Sequence, residues 1–192
     1  MVKLEQHWVN DPNYYLPDID YNRFEGIDRA YDWVNERKDN PLVLFCNGPA
    51  NSGQSRAGDL IKTIDILSAQ YPETNFLLTQ KTHLQKPNIY YTDDIFDGID
   101  SDLNQIAYIA GGCDLIVGKN SGPFSFCQNK NNLLDSDITF LNLSVKPTDC
   151  PSGGGLYRAR CVYTAEIEES RLAAMISVIL TNPEFRGTEI IS

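Results

Sequence analysis

Short apolar runs alternate along this chain with segments whose apolar residues recur every three or four positions. The run Leu42–Cys46 has the length and composition of a strand that is buried on both faces. After it, one face of a helix collects the apolar residues Leu60, Ile61, Ile64 and Leu67. Strands that alternate with helices build a mostly parallel sheet with helices on both faces. We therefore predict an α/β fold whose functional residues lie in the loops that follow the strands.

The same patterns predict the remaining elements. Further strands are expected at Asn75–Thr79, Asn88–Thr92, Asp114–Val117, Ile138–Leu143 and Val162–Tyr163. Helices are expected at Phe24–Lys38, at Asp102–Ala110, through Phe124 and Cys127, and from Ile167 to Ile179. Residues 1–40 then form an N-terminal arm and a helix, and residues 41–192 form a single domain.

Composition excludes several classes of protein. The chain has 192 residues, of which 42% are hydrophobic, so it can bury a core and is not a disordered chain. Its net charge of −10 argues against a nucleic-acid partner, because the DNA or RNA backbone would be repelled. No apolar run approaches the roughly 18 residues needed to span a membrane. Because the N-terminus also lacks an apolar signal segment, we expect a cytoplasmic protein.

The cysteines and histidines give no sign of a metal site or a catalytic triad. The five cysteines are an odd number without a C-x-x-C pair, so neither a disulfide framework nor a zinc site is expected. Cys46 and Cys161 lie in apolar runs and are expected to be buried thiols. Neither His7 nor His83 lies beside a nucleophile motif.

The loop after the first strand resembles a phosphate-binding loop. Residues 48–55 read GPANSGQS, which fits the pattern G-x-x-x-x-G-K-[ST] except that Gln54 replaces the lysine. This replacement argues against an ATPase, although a phosphotransferase of that kind stays a third alternative. Backbone N–H groups of such a turn still suit an anion, and a plain capped turn is the structural alternative. The candidate phosphate-binding residues are Gly48, Ser52, Gly53, Gln54, Ser55 and the cation Arg56.

Two further loops carry candidate binding residues. The fourth strand runs into a second Gly-containing loop, whose candidates are Lys119, Asn120, Ser121, Gly122 and Pro123. Helix capping alone would also explain Ser121 and Pro123. The third strand is followed by Thr92, Asp93 and Asp94, which we interpret either as nucleoside-binding residues or as solvated helix-capping acids.

The segment 102–123, which reads DLNQIAYIAGGCDLIVGKNSGP, resembles the donor-binding domain of GT-B glycosyltransferases. It is most similar to the heptosyltransferase-like group, in which a D-S-G-P-x-H loop lines the donor site. The resemblance covers about residues 41–145 and implies a single Rossmann-like domain in which Ser121, Gly122 and Pro123 face the diphosphate of the donor. Asn120 and Ser125 depart from the motif, in which Asp and His are usual at these positions.

The resemblance implies a domain that binds a nucleotide-diphosphate sugar and takes part in metal-independent glycosyl transfer. The sugar nucleotide is then a substrate, and no cofactor is expected. About 40 residues precede the matching domain, too few for a second Rossmann-like domain. The alternatives are therefore a non-catalytic nucleotide-, sugar- or partner-binding module, or the donor half of a two-chain transferase. A homo-oligomer is a further alternative if the arm aromatics, such as Trp8 and Tyr21, dock on a second copy instead of on the chain's own core.

Overall fold

The computed structural model of this protein describes residues 16–49, 60–119, 122–144, 157–166 and 168–182. Six short strands form its sheet, and each strand is parallel to its neighbours. The strands are β1 (Leu42–Cys46), β2 (Asn75–Leu78), β3 (Ile89–Tyr91), β4 (Leu115–Gly118), β5 (Thr139–Leu143) and β6 (Arg160–Thr164). Their order across the sheet is β3-β2-β1-β4-β5-β6. The predicted α/β class and the parallel sheet are confirmed.

Seven α-helices lie in the described ranges. They are α1 (Ile27–Asn35), α2 (Leu60–Gln70), α3 (Thr92–Ile95), α4 (Leu103–Ala110), α5 (Gly122–Cys127), α6 (Lys130–Leu134) and α7 (Glu169–Thr181). No helix in this part of the chain is both long enough and apolar enough to cross a membrane.

The sheet separates two apolar cores, and strand β1 contributes to both. Its five side chains are all buried, and they alternate between the faces because successive side chains of a strand point in opposite directions. Leu44 packs in the core that α1, α4, α5 and α6 cover, whereas Phe45 packs in the core under α2 and α7. Each such large apolar side chain contributes about 1.5–3 kcal/mol by leaving water. The predicted helices on both faces are confirmed.

Several element boundaries differ from the predictions, among them the end of β3 and the starts of α1 and α4. Strand β3 ends at Tyr91, because Thr92 begins the short helix α3. Helix α1 begins at Ile27 instead of Phe24, because Gly26 has a φ of 75° and interrupts the helical backbone before it. Helix α4 begins at Leu103, with Asp102 at its N-cap position but without a capping hydrogen bond from the Asp102 side chain.

The sequence pattern did not predict helix α6, which local polar contacts define. The side chain of Asn129 accepts a hydrogen bond of 3.1 Å from the backbone N–H of Asn132 and so caps the helix. The Asn132 amide in turn donates to the carbonyls of Ala107 and Cys127, both at 2.9 Å. These buried contacts join α6 to α4 and α5.

The segment before α1 docks on the chain's own helices. The Tyr21 hydroxyl donates to the carbonyl of Ala107 at 3.2 Å and accepts from the Asn129 amide at 2.9 Å. The Tyr21 ring also packs edge-on against Tyr108, with 5.2 Å between ring centroids. For Tyr21, packing on the chain's own core is therefore confirmed. Trp8, Tyr14 and Tyr15 lie outside the described residues.

The prediction of a buried thiol is confirmed for Cys46. Cys46, Cys113 and Cys127 are buried, and Cys161 is half-buried. Burial raises the pKa of the Cys46 and Cys113 thiols, because the thiolate would lose its hydration.

Strand β4 ends at a glycine that permits the closest approach between the sheet and α5. A Cβ atom on Gly118 would lie 2.5 Å from Cδ2 of Phe124 and 2.8 Å from the Cβ of Cys46. Both neighbours are fully buried, so they have little room to move. Phe124 also packs edge-on against Phe140 of β5, with 6.0 Å between ring centroids. Gly118 therefore lets α5 lie directly on the sheet.

We predict that Gly118→Ala lowers the free energy of unfolding by about 1–3 kcal/mol, because the added methyl group overpacks the core. Urea denaturation of the full chain measures this change. Gly122→Ala is the matched control, since a Cβ atom at Gly122 would meet no atom within 4 Å. Equal stability of the two variants would show that β4 and α5 are not in close contact.

Tyr21 should make the fold sensitive to alkaline pH. Burial raises its pKa above the ordinary value of 10.0, so the folded state keeps a proton that the unfolded state releases. The corresponding stability is present below about pH 10 and is lost as the pH rises further. We expect the urea midpoint to fall less between about pH 9 and about pH 11 in Tyr21→Phe than in the wild type. Tyr31→Phe, which changes an exposed residue, should keep the wild-type slope, and an equal slope in Tyr21→Phe would refute the assignment.

Candidate functional site

The strand order reverses between β1 and β4, at the centre of the sheet. From β1 the chain proceeds outward through β2 and β3 on one side, and from β4 it proceeds through β5 and β6 on the other. The final residues of the two strands are partners in the sheet, Cys46 beside Gly118. Their loops therefore leave the carboxyl edge side by side. In open α/β sheets, ligands bind in the crevice at such a point of reversal.

The structure brings the two loops predicted to bind phosphate to this point. Gly48 follows β1, Lys119 follows β4, and Gly122 and Pro123 begin α5. Gly122 is exposed and Pro123 is half-buried. The remaining predicted residues lie outside the described ranges: Ser52, Gly53, Gln54, Ser55, Arg56, Asn120 and Ser121. Their roles stay predictions.

Asn47 bridges the loop after β1 to the loop after β2. Its side-chain oxygen accepts from the Gln80 backbone N–H, and its amide donates to the Gln80 carbonyl, both at 2.9 Å. In these two bonds the Asn47 side chain accepts and donates as a backbone peptide group would. They therefore extend the pairing of β1 with β2 by one residue. The bridge positions Gly48, the next residue, at the carboxyl edge. Sequence reasoning missed this role, because nothing in the sequence pairs Asn47 with Gln80.

Gly48 and Lys119 supply open backbone and positive charge at the reversal point. Among the described residues, a Cβ atom on Gly48 would have only the Gln80 side chain near it, at 4.0 Å, so these residues leave the Gly48 backbone open to a ligand. Lys119 is half-buried and has no ion-pair partner among the described residues. A partly buried lysine without a local anion attracts a negatively charged ligand, even in a protein whose net charge is −10.

The third group of predicted residues lies two strands away from this point. Thr92 is buried, and its hydroxyl has no hydrogen-bond partner within the described part of the chain. Asp93 and Asp94 are exposed on α3, which follows the edge strand β3. Asp94 forms an ion pair of 2.6 Å with Lys81 from the loop after β2. This hydrogen-bonded carboxylate raises the pKa of the Lys81 ammonium group.

The loop between β2 and β3 is held by its own hydrogen bonds. The Tyr91 hydroxyl donates to the carbonyl of Leu84 at 2.6 Å and lies 2.9 Å from the Thr82 hydroxyl. The carboxyl edge from β1 to β3 is therefore a connected polar surface. It runs from Asn47 through Gln80 and Lys81 to Asp94. Within the described ranges, no group of three or more His, Cys, Asp or Glu side chains is placed to hold a metal ion.

Comparison with known proteins finds similarity in three-dimensional structure alone. No family model matches the sequence, and no curated protein matches it. The structure of E. coli ADP-heptose lps heptosyltransferase II matches with a TM-score of 0.50 and 14% identity, over 82% of this chain and 52% of that one. A glycosyl transferase family 9 structure from Veillonella parvula DSM 2008 matches with a TM-score of 0.48 and 13% identity, over 80% of this chain and 45% of that one.

This chain thus spans about half the length of the solved structures that it matches. At 14% identity, the likeness to the heptosyltransferase II structure is one of fold. The resemblance to the heptosyltransferase-like group of GT-B glycosyltransferases is confirmed at the level of the fold.

Proposed function

We propose that this domain binds the diphosphate of a nucleotide-diphosphate sugar between the loops after β1 and β4, and that it takes part in glycosyl transfer. The observation that supports this most strongly is the reversal of strand order at these two strands. The described ends of two glycine-containing loops lie side by side at this reversal, next to Lys119, which has no ion-pair partner among the described residues. Pyrophosphate groups of nucleotide ligands bind at the equivalent crevice of doubly wound sheets.

Each described residue of the crevice has a role in this proposal. Gly48 and Gly122 let the diphosphate approach the backbone, because neither has a side chain and the described residues leave space around both. Lys119 supplies the charge that stabilises the nucleoside diphosphate as it leaves the sugar. From the sequence we add Arg56 and Ser121 as further donors. Protein groups, rather than a metal ion, then meet the developing negative charge.

We assign the nucleoside to the side of the crevice formed by β2 and β3. In dinucleotide-binding sheets an acidic residue at the end of the second strand binds the ribose hydroxyls. Here β2 is followed by Thr79, Gln80 and Lys81, and the nearest predicted carboxylates are Asp93 and Asp94 on α3. The Lys81–Asp94 pair brings one of these carboxylates toward β2. A ribose at this edge would accept and donate hydrogen bonds there.

A second candidate function is a binding module without transfer activity of its own, or the donor half of a two-chain transferase. The observation that favours it is the single sheet of the described residues, which offers one crevice at a reversal of strand order. Incubation of the purified chain with nucleotide sugars distinguishes the candidates. Release of the nucleoside diphosphate in the presence of an acceptor supports an enzyme, and release only after a second chain is added supports the split transferase.

The cytoplasmic location expected from the sequence is part of this proposal.

Titration calorimetry of the full chain with UDP, GDP, ADP and CMP tests the binding site. We expect heat from at least one nucleoside diphosphate and a weaker response to CMP, because one phosphate makes fewer contacts. Lys119→Ala should weaken binding about tenfold by removing a charge-assisted contact.

Lys38→Ala is the matched control, because Lys38 is an exposed lysine in the turn that precedes β1, at the opposite edge of the sheet. Its affinity should equal that of the wild type. The absence of heat with all four nucleotides, or an equal loss of affinity in both variants, would contradict a diphosphate site at Lys119.

A further inference from the structure

A cavity of about 470 Å³ opens between the segment before α1 and the helices α4 and α5. Residues 17–20, Arg23 and Phe24 form one wall, and Asn104, Ser125 and Phe126 form the other. Its volume lies within the range of about 300–1,000 Å³ that is typical of small-molecule sites, which includes the size of a disaccharide. Ser125, at the last position of the D-S-G-P-x-H motif, is part of the lining, but the proposed diphosphate site does not account for this cavity.

Contacts distant in sequence hold the first wall in place. The backbone N–H of Lys130 donates to the Pro17 carbonyl at 3.1 Å, and the Gln105 amide donates to the Glu25 carbonyl. Tyr21 lies between these two contacts and bonds to Ala107 and Asn129, as described above. The wall is therefore fixed at both ends and in the middle, and the cavity is formed before any ligand binds.

The lining combines aromatic surface with an uncommitted amide. Phe24 and Phe126 are 36% and 40% exposed, which is unusual for phenylalanine side chains in a chain that buries most of its large apolar residues. Asn104 lines the same cavity, and its side-chain amide has no hydrogen-bond partner among the described residues. A purely apolar ligand would cover this amide without bonding to it, at a cost in free energy.

The acidic residues of the cavity are neutralised by neighbouring bases. Asp18 pairs with Lys130 at 3.1 Å, and Asp20 pairs with Arg23 at 2.9 Å. The rim of the cavity therefore carries hydrogen-bond donors and acceptors but no excess charge. It neither attracts an anion, as Lys119 does, nor selects a cation.

We propose that this cavity binds a neutral carbohydrate. A pyranose ring has an apolar C–H face, which fits against the exposed Phe24 and Phe126 rings, and hydroxyl groups at its edge, which fit the Asn104 amide and the paired carboxylates. The expected ligand therefore combines an apolar face, which packs on the aromatic rings, with uncharged hydrogen-bonding groups.

The position of the cavity assigns the carbohydrate a part in the reaction. Phe126 lies on α5, the helix that begins at Gly122 in the loop assigned to the donor diphosphate. A sugar in the cavity thus lies one short helix away from that loop, where a glycosyl acceptor would bind. The role of the carbohydrate as glycosyl acceptor rests on the proposed function, whereas carbohydrate binding in the cavity does not.

Saturation-transfer difference NMR on the full chain tests the cavity, with methyl α-D-mannopyranoside, methyl β-D-galactopyranoside and lactose as probes. We expect saturation of the ring C–H protons of at least one probe. Phe126→Ala and Asn104→Ala should each weaken its binding about fivefold, because each removes one contact of the ring. Val178→Ala is the control, since Val178 is 49% exposed on α7, on the other side of the sheet.

The outcomes separate this site from the diphosphate site. The carbohydrate site is overturned if no saturation is transferred to any of the three probes. It is also overturned if the saturation-transfer signal of Phe126→Ala equals that of the wild type. Nucleoside diphosphate affinity, measured in the same Phe126→Ala protein, should stay at the wild-type value and also shows that the variant is folded. Glycoside binding without nucleotide binding would support the cavity and refute the proposed function, and nucleotide binding without glycoside binding would do the reverse.

Discussion

The contact between Gly118 and Phe124 sets the position of α5, the helix that carries residues of both proposed sites. Because Gly118 has no side chain, Phe124 reaches the end of β4, and α5 lies directly on the sheet. Gly122, the first residue of α5, is thus held near the end of β4, at the edge where the strand order reverses. The same helix carries Phe126 into the cavity beside the docked segment 17–24. A single close approach thus positions one wall of the proposed diphosphate site and one wall of the proposed carbohydrate site.

Local charge, rather than net charge, distinguishes the two sites. The chain carries a net charge of −10, so an anionic ligand must meet cations that the surrounding acids do not neutralise. Lys119 meets this condition within the described ranges, whereas Lys81 and Lys130 are paired with Asp94 and Asp18. Exposed pairs of this kind add at most about 1 kcal/mol each to stability. Their larger effect is to leave one region of the surface positive and another neutral.

The sequence predicted the parts of the fold that depend on local patterns. Leu42–Cys46 was predicted to the residue, because a run of five apolar residues can be buried on both faces only in an inner strand. The short helices α3 and α6 were missed, because they have four and five residues and too few apolar positions to show a period. Helix α6 depends on the Asn129 cap and on Asn132, whose partners are remote in sequence.

The candidate site was predicted in part for the same reason. Glycine-containing loops after two strands are visible in the sequence, and parallel topology brings the ends of those strands to one edge. The Asn47–Gln80 bridge and the cavity at Phe126 arise from contacts between segments that are distant in the chain. Residues 17–23 have no apolar period, so their docking on α4 could not be derived before Tyr21 was seen to bond to Ala107.

Backbone amide NMR during a titration with a nucleoside diphosphate tests the central claim most directly, because it reports the position of the ligand and not only its affinity. Binding between the loops after β1 and β4 predicts the largest shift changes at Gly48, Lys119 and Gly122, with small changes at the amino edge around Asn40 and Asp114. Shift changes confined to the amino edge, or none at saturating nucleotide, would contradict a diphosphate site at the reversal of strand order.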